Sequence, residues 1–262
     1  MADLSFSSLF AESWMTFKKK FAILFSLAFV FSILPTVLYF IYSITRTQPV
    51  FDEVSSFLDI FSILWQELVK IAPFYLGLFL LGMVFTLSAI YVLVMDRQKR
   101  QLSFGEAIGG VMPFFFSAIL LTIIVALILI PSFLFFIIPG VILSVYFTFA
   151  IYALIAENNG PVEAIKASYH AVKGSWWLVF AYALLIGLII GGISMAMGMI
   201  FMIPSFILAS SGVENQLFEI IQNAVMTCIT SCFTLFSIIF MEKFYMQLKA
   251  GKQTKNSTVT HR

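Results

Sequence analysis

Five long stretches of the sequence contain no Asp, Glu, Lys or Arg, and they constrain the fold more than any other feature. They cover residues 21–45, 71–95, 107–156, 174–213 and 220–241. A helix needs roughly 20 mostly apolar residues to cross a hydrocarbon core of about 30 Å. Each stretch is therefore long enough to form at least one transmembrane helix.

The composition is typical of an integral membrane protein. Apolar residues make up 61% of the chain and charged residues only 11%, whereas soluble domains carry about 25% charged residues. The 31 phenylalanines exclude disorder, and two cysteines are too few for a disulfide scaffold. The long runs are apolar on all sides and do not alternate with period two, as barrel strands do. An all-α, polytopic membrane bundle is expected.

The longest stretch predicts two crossings rather than one. Residues 107–156 contain Pro139-Gly140, a pair that breaks a helix and favours a turn, so a very short loop is expected near Ile138. Residues 174–213 are interpreted as one span, with 204–213 either interfacial or re-entrant. The prediction is a single transmembrane domain over 1–248 and a disordered, basic cytoplasmic tail over 249–262. Its six spans lie at about 21–44, 71–95, 112–137, 139–156, 176–203 and 219–242.

The basic residues predict the orientation of these spans. With six crossings, thirteen of the fifteen Lys and Arg residues fall on one side, and only Arg46 and Lys70 fall on the other. Lys and Arg crowd the cytoplasmic loops of membrane proteins, so both termini are expected in the cytoplasm. The first apolar run is 25 residues long, which favours a retained anchor over a cleaved signal peptide. Anionic membrane lipids explain the spread-out basic residues, and no nucleic-acid partner is expected.

Short amphipathic segments precede the first, third and fifth spans. They begin at Leu4, Leu102 and Gly160, and the second and third share Glu-Ala-Ile at Glu106 and Glu163. This pattern suggests three repeats, each an interfacial helix followed by a helical hairpin; chance matches in a chain so rich in Ile, Leu and Phe are the alternative. On the outer side, residues 51–70 predict an acidic amphipathic helix that leads into the second span.

The third amphipathic segment has the clearest helix signals. Asn158 or Asn159 is placed to cap it, Pro161 and Glu163 suit its first turn, and Gly174 is placed to end it. The prediction is a helix lying on the membrane surface. Its apolar face consists of Val162, Ile165, Tyr169 and Val172.

The same region carries a family resemblance. Ile138-Pro139-Gly140 and the run that starts at Glu157 resemble the YciC-like group of bacterial inner-membrane proteins. The chain is also similar to the membrane domain attached to some glycerophosphodiester phosphodiesterases, but without a phosphodiesterase domain that catalytic role is not carried over. The resemblance implies a six-helix bundle in the bacterial cytoplasmic membrane, with no established activity. The interfacial-helix residues of interest are Glu157, Gly160, Pro161, Glu163, Ala164, Ser168, Lys173, Gly174 and Trp177.

Small residues recur along one side of the fifth span. Spacings of three and four residues produce a groove that lets another helix backbone approach closely. Packing within the bundle is the favoured interpretation, and contact with a second copy or another membrane protein is the alternative. The residues are Ala183, Gly187, Gly191, Ser194 and Gly198.

The sequence contains few candidates for catalytic, metal-binding or proton-transfer residues. The predicted spans hold no internal charge, so proton-coupled transport is not expected. Cys228 and Cys232 are interpreted as small packing residues, and the two histidines form no metal-binding motif. No cofactor, metal site or enzymatic activity is predicted. Glu157, Glu214 and Glu219 are expected to be solvated at span ends. Hydrogen bonding between helices is favoured over a polar path for Asn223, Thr227, Thr230, Ser231 and Thr234.

Two functions remain open from the sequence. The first is a non-catalytic membrane protein that maintains the envelope by scaffolding partners or organising lipid. The second is a transporter or channel component for an apolar or lipid-like substrate, because repeats and proline-interrupted spans recur in transporters. A cavity that reaches into the membrane favours transport, and a packed bundle favours the scaffold.

Overall fold

The computed structural model describes residues 5–45, 57–210 and 216–260, all of which lie in helices or in the short connections between them. Within these ranges there is no β-strand. The helices are α1 (Phe6–Lys19), α2 (Phe21–Thr45), α3 (Phe57–Arg97), α4 (Phe104–Gly109), α5 (Met112–Phe135), α6 (Ile137–Phe147), α7 (Ala150–Ala156), α8 (Pro161–Val172), α9 (Trp176–Ser210) and α10 (Gln216–Thr260).

Six helical segments are long and apolar enough to cross a membrane, which confirms the all-α bundle and indicates a multi-pass membrane protein. Helices α6 and α7 together form the fourth of these segments. The segments are Phe21–Tyr42, Ile60–Arg97, Met112–Phe135, Ile137–Ala156, Trp176–Pro204 and Ile220–Gln253.

A short helix precedes each odd-numbered span, as the sequence pattern predicts. Helices α1, α4 and α8 stand before α2, α5 and α9. Ser5 and Ser103 begin α1 and α4 in the same way, because each hydroxyl accepts a hydrogen bond from the backbone N–H three residues later. Helix α8 instead begins at Gly160, without a side-chain cap, and has Pro161 at its first position. The Asn158 or Asn159 cap expected for α8 is therefore absent.

The turn between α5 and α6 lies at Phe136, three residues before Pro139, the residue from which a turn was predicted. Phe136 is extended, with φ −151° and ψ 118°, and α6 starts at Ile137. Pro139 fits inside the first turn of α6, where a missing N–H breaks no helical hydrogen bond. A Cβ on Gly140 would stand 2.6 Å from the Phe133 ring, so glycine lets the two arms of this hairpin meet closely.

Helix α3 merges two elements that the sequence separates. The predicted acidic helix over 51–70 and the span over 71–95 form one helix from Phe57 to Arg97, and residues 51–56 lie outside the described part of the chain. Pro73 lies inside this helix. A proline removes one backbone hydrogen bond and bends a helix without necessarily ending it. At 1.5 Å per residue, the 41 residues of α3 extend about 60 Å.

The C-terminal segment also differs from the expected disordered tail. Helix α10 continues to Thr260 and so includes most of residues 249–262. Lys249, Ala250, Lys252 and Gln253 are good helix formers, whereas Gly251 and residues 256–260 are poor ones. Extending an existing helix avoids the cost of nucleation, which favours helix beyond the buried part of α10.

Burial is concentrated at one end of the bundle, which we call the basic end because Lys20, Arg97, Lys173 and Lys249 lie there. Helix α7 is almost entirely buried at this end, as are α3 from Met83 to Val94 and α10 from Leu235 to Leu248. Toward the opposite end, α5, α6 and α9 expose large apolar side chains such as Leu134 and Met202. The helices thus pack closely at the basic end and expose most of their apolar surface elsewhere.

Candidate functional site

An apolar cavity of about 520 Å³ lies between α3, α5, α6 and α7. Phe79, Met83 and Leu87 of α3 form one wall, and side chains from the other three helices face them. Gly82 also lines the cavity, and no atom of the described chain lies within 4 Å of where its Cβ would stand. The other lining residues are Thr86, Leu121, Thr122, Val125, Phe147, Ala150 and Ile151.

The two threonines add little polarity to this cavity. Thr86 Oγ1 donates to the Gly82 carbonyl at 3.0 Å, and Thr122 Oγ1 donates to the Ala118 carbonyl at 2.9 Å. Each hydroxyl proton is thus used within its own helix. No lining residue is ionisable. The cavity therefore suits a hydrocarbon chain better than a polar solute.

The wall formed by α6 and α7 contains a break in the fourth span. Helix α6 ends at Phe147 and α7 starts at Ala150, so the backbone between them leaves the regular hydrogen-bond pattern. Ser168 of α8 fills the gap: its Oγ donates to the Tyr146 carbonyl at 2.6 Å and accepts from the Phe149 N–H at 3.1 Å. Ser168 is fully buried. One side chain of α8 thus stabilises the broken helix beside the cavity.

Helix α8 packs on a different face from the one its apolar residues predict. Its buried residues are Ala164, Ser168, Ala171 and Val172, whereas Val162 and Tyr169 are exposed. Of the four buried residues, only Val172 belongs to the predicted apolar face. Small side chains let α8 approach α7 closely, and larger ones on that face would hold the two helices apart.

The ends of α8 also place the remaining residues of interest. Gly174 has φ +84°, a left-handed conformation that glycine adopts without strain, and it ends the helix as predicted. Glu163 lies in the first turn, where the helix dipole favours an acidic side chain. The Lys173 carbonyl accepts a hydrogen bond from Lys252 Nζ at 2.6 Å, which ties α8 to α10. Trp177 is 76% exposed, while its neighbour Trp176 donates from Nε1 to the Ile142 carbonyl at 3.2 Å.

Glu157 joins the end of α7 to α10. Its Oε1 accepts from the Tyr245 hydroxyl and lies 2.8 Å from Lys249 Nζ, and Asn159 donates to Oε2. Partial burial acts to raise the pKa of Glu157, but the hydrogen bonds from Lys249 and Tyr245 outweigh it and hold the pKa below its ordinary value. Glu157 is therefore a link between helices and not merely a solvated boundary residue. The side chains of Glu214 and Glu219 lie outside the described part of the structure.

Two further ion pairs connect helices at the basic end, and the sequence pattern missed both. Arg97 Nη2 of α3 lies 2.7 Å from Glu242 Oε1 of α10, and the Glu242 side chain is only 6% exposed. At this distance, charge attraction holds the pair together. Lys20 Nζ lies 2.7 Å from Asp96 Oδ1. All four residues lie at the ends of the charge-free runs, where charged side chains are common, and their spacing does not show which of them form pairs.

The comparisons with known proteins identify the family but not the activity. A sequence model described as a domain of unknown function, DUF7847, matches residues 28–248, which is most of the chain. The chain belongs to this family. No curated protein and no solved structure gives a significant match. The DUF7847 match includes every residue that lines the cavity and all of α8.

The small-residue stripe of this DUF7847 protein lies on an open face of α9. Apart from the neighbouring backbone of α9 itself, no atom of the described chain comes within 4 Å of a Cβ built on Gly187, Gly191 or Gly198. Gly187 and Gly191 are exposed, and Ala183, Ser194 and Gly198 are partly buried. Gly187, Gly191 and Gly198 therefore bring no other described helix close, whereas Ala183 at the start of the stripe packs against the hydrophobic core.

The polar residues of α10 mostly bond within their own helix. Thr227, Thr230 and Thr234 each donate to a carbonyl four residues earlier. Ser231 is the exception, because it accepts a hydrogen bond from Ser32 of α2 at 3.0 Å and so links two spans. Cys228 and Cys232 are free thiols. Among the described residues, no three His, Cys, Asp or Glu side chains lie close enough to hold a metal ion.

The Glu157 link predicts a dependence of stability on pH. Replacing Glu157 with glutamine should lower the free energy of unfolding at neutral pH by up to about 1 kcal/mol, because a partly exposed, charge-assisted contact is lost. A carboxyl whose pKa is lowered by folding stabilises the protein above its ordinary pKa, and this contribution disappears as the pH falls through the folded value. The wild-type protein should therefore lose more stability than the variant below about pH 5.

Unfolding in mixed detergent micelles at a series of pH values measures this difference. Glu163→Gln is the matched control, since it removes a carboxylate from the exposed side of α8. The control removes only the dipole interaction of an exposed carboxylate, so we expect it to keep most of the acid dependence of the wild-type protein. Identical acid profiles for the wild-type protein and the Glu157 variant would contradict the role of Glu157.

Proposed function

We propose that this DUF7847 protein is a non-catalytic membrane protein that organises lipid, and that the cavity between α3, α5, α6 and α7 holds an acyl chain. The observation that carries the proposal is the pairing of a volume of about 520 Å³ with walls that lack an ionisable side chain. Such a cavity offers contacts to methylene groups and no side chain that could act as a general acid or base. The YciC-like resemblance, which carries no established activity, is compatible with such a role.

The depth of the cavity supports this proposal. The α3 residues that line the cavity, from Leu87 to Phe79, lie 10 to 18 residues from Arg97 at the basic end of α3, which corresponds to about 15–27 Å along a helix. If Arg97 marks one boundary of a hydrocarbon core of about 30 Å, this wall of the cavity extends from the middle of the core toward the opposite boundary. An acyl chain reaches that depth from either leaflet, whereas a polar solute would have to leave water.

Photocrosslinking tests this proposal on the full-length protein. Purified protein in nanodiscs that contain a phospholipid with a diazirine in one acyl chain should be labelled on peptides of α3, α5 and α7. Gly82→Leu fills the cavity and should reduce this labelling severalfold. Gly77→Leu is the matched control, because Gly77 lies in the same helix, outside the cavity and with no described atom near its Cβ position. Equal labelling of the two variants would refute the proposal.

A second function, movement of a lipid-like substrate across the membrane, is favoured by one further observation. The broken fourth span lines the cavity through Phe147, Ala150 and Ile151, and interrupted helices recur at the binding sites of transporters. Liposomes that contain a fluorescent phospholipid distinguish the two functions. Faster exchange of this lipid between leaflets in the presence of the protein, abolished by Gly82→Leu, would indicate transport. Acyl-chain labelling without faster exchange would indicate lipid organisation.

We further propose that the protein lies in the bacterial cytoplasmic membrane with its basic end and both termini in the cytoplasm. The support is the excess of Lys and Arg on one side of the six spans. Membrane lipids are the proposed partners; a second copy or another membrane protein on the open face of α9 is the alternative partner. Reporter fusions at each terminus test the orientation, and reporters in opposite compartments would overturn it.

A further inference from the structure

A second cleft, of about 280 Å³, lies at the basic end between the start of α2, the end of α3 and the connection to α4. Three cationic side chains line it, those of Lys19, Lys20 and Arg100. Apolar side chains, among them Ile23 of α2 and Val92 of α3, and the polar side chain of Gln101 line the rest. The cleft therefore combines positive charge with an apolar wall that continues into two of the spans.

The charge in this cleft is only partly balanced. Asp96 Oδ1 lies 2.7 Å from Lys20 Nζ and 3.5 Å from Lys19 Nζ, and Glu106 Oε1 lies 3.5 Å from Arg100 Nη2. Three cations thus face two carboxylates. Lysine has three N–H donors and arginine has five, so these contacts leave donors for a further anion. Lys19 and Arg100 are also largely exposed, at 69% and 59% of their side chains.

The end of α3 holds this arrangement in place. Lys99 adopts φ +60°, and the N–H groups of Lys99 and Arg100 donate to the carbonyls of Asp96 and Met95. This is the left-handed turn that commonly ends a helix, and here it folds the chain back over the cleft. The capping box of Ser103 and Glu106 then starts α4 at once. The hydrogen-bonded turn at Lys99 therefore fixes the backbone position of Arg100 beside the cleft.

We propose that this cleft binds the phosphate of an anionic phospholipid, with Arg100 and Lys19 as the main donors and the apolar wall against the start of an acyl chain. Arginine forms paired hydrogen bonds to phosphate oxygens, and basic pockets between transmembrane helices are suited to anionic headgroups. The cleft lies beside the ends of the spans Phe21–Tyr42 and Ile60–Arg97, where headgroups meet the helices. This inference rests on the proposed role in lipid organisation and names its lipid class.

Native mass spectrometry of the full-length protein tests the cleft. Phosphatidylglycerol, phosphatidylcholine with the same acyl chains, and inorganic phosphate are titrated separately. We expect phosphatidylglycerol to bind about tenfold more tightly than phosphatidylcholine, because only phosphatidylglycerol carries a net negative charge that Lys19 and Arg100 attract. Inorganic phosphate should bind far more weakly because it has no acyl chain for the apolar wall. Inorganic phosphate that binds as tightly as phosphatidylglycerol would instead indicate a site for free phosphate.

Two double variants that remove the same charge test whether the preference for phosphatidylglycerol arises from the cleft. Lys19→Gln combined with Arg100→Gln should remove most of the preference for phosphatidylglycerol. Lys166→Gln combined with Lys173→Gln removes the same charge from exposed positions on and beside α8 and should retain it. Equal losses in the two double variants would show diffuse attraction and overturn the proposal. The wild-type comparison of the two lipids needs no variant, so an absent preference refutes the site even if a variant misfolds.

This experiment is independent of the acyl-chain cavity. Labelling that depends on Gly82 without a headgroup preference would leave lipid organisation standing and refute the cleft. A headgroup preference without labelling in the cavity would support the cleft and refute the proposed cavity ligand. The two proposals can therefore fail separately.

Discussion

Replacing Ser168 with alanine is expected to lower the free energy of unfolding by about 2–3 kcal/mol, because the variant leaves one buried and one partly buried backbone group without a partner. The lost contacts are the hydrogen bonds to the Tyr146 carbonyl and from the Phe149 N–H. Each buried unsatisfied group costs about 1–3 kcal/mol. Unfolding by a denaturing detergent in mixed micelles, followed by tryptophan fluorescence, measures the change.

Ser132→Ala is the matched control for this prediction. Ser132 Oγ donates only to the Ile128 carbonyl of its own helix, near the surface of the hairpin formed by α5 and α6. Its loss should change stability by less than about 0.5 kcal/mol. Similar small effects of Ser168→Ala and Ser132→Ala would show that the break between α6 and α7 does not depend on α8.

Replacing Arg97 with methionine is expected to cost about 3 kcal/mol, since it leaves the Glu242 carboxylate buried without its cation. Removing both charges with Arg97→Met and Glu242→Met should recover most of this loss, because paired apolar residues replace a buried ion pair at little cost. The same mixed-micelle unfolding experiment measures both variants, and the double-mutant cycle isolates the energy of the pair.

Arg100→Met provides the control for Arg97. Arg100 lies just beyond the same helix and contacts Glu106, but both side chains of that pair are at least half exposed. Its loss should cost less than about 1 kcal/mol. Equal costs for Arg97→Met and Arg100→Met, or a double variant no more stable than Arg97→Met alone, would contradict the assigned pair.

The sequence predicted where helix α8 starts and ends, but it did not predict which face of the helix is buried. Pro161, Glu163 and Gly174 act through local backbone geometry and the helix dipole, and the structure places each as predicted. The buried face could not be found from hydrophobicity, because an apolar side chain gains nothing by leaving lipid for protein. Small residues such as Ala164 and Ala171 mark that face instead, since they allow close approach.

The stripe of small residues on α9 shows that small residues do not always mark a face on which another helix packs. Gly187 and Gly191 have the spacing that favours helix contact, yet no described helix lies against them. Spacing shows where a backbone can approach, but the other helices decide whether one does. The position of α9 depends on its contacts with α10 and α6, and this position leaves Gly187 and Gly191 exposed.

The sequence by itself determined that this chain is an all-α bundle with six segments able to cross a membrane. That result depends on local composition, because runs without charge and long enough for a helix satisfy their own backbone groups in lipid. Only the tertiary structure decided the apolar cavity, the Ser168 bridge and the pairing of Arg97 with Glu242. These features join side chains from separate helices, and no periodicity within one segment specifies which distant residues it will meet.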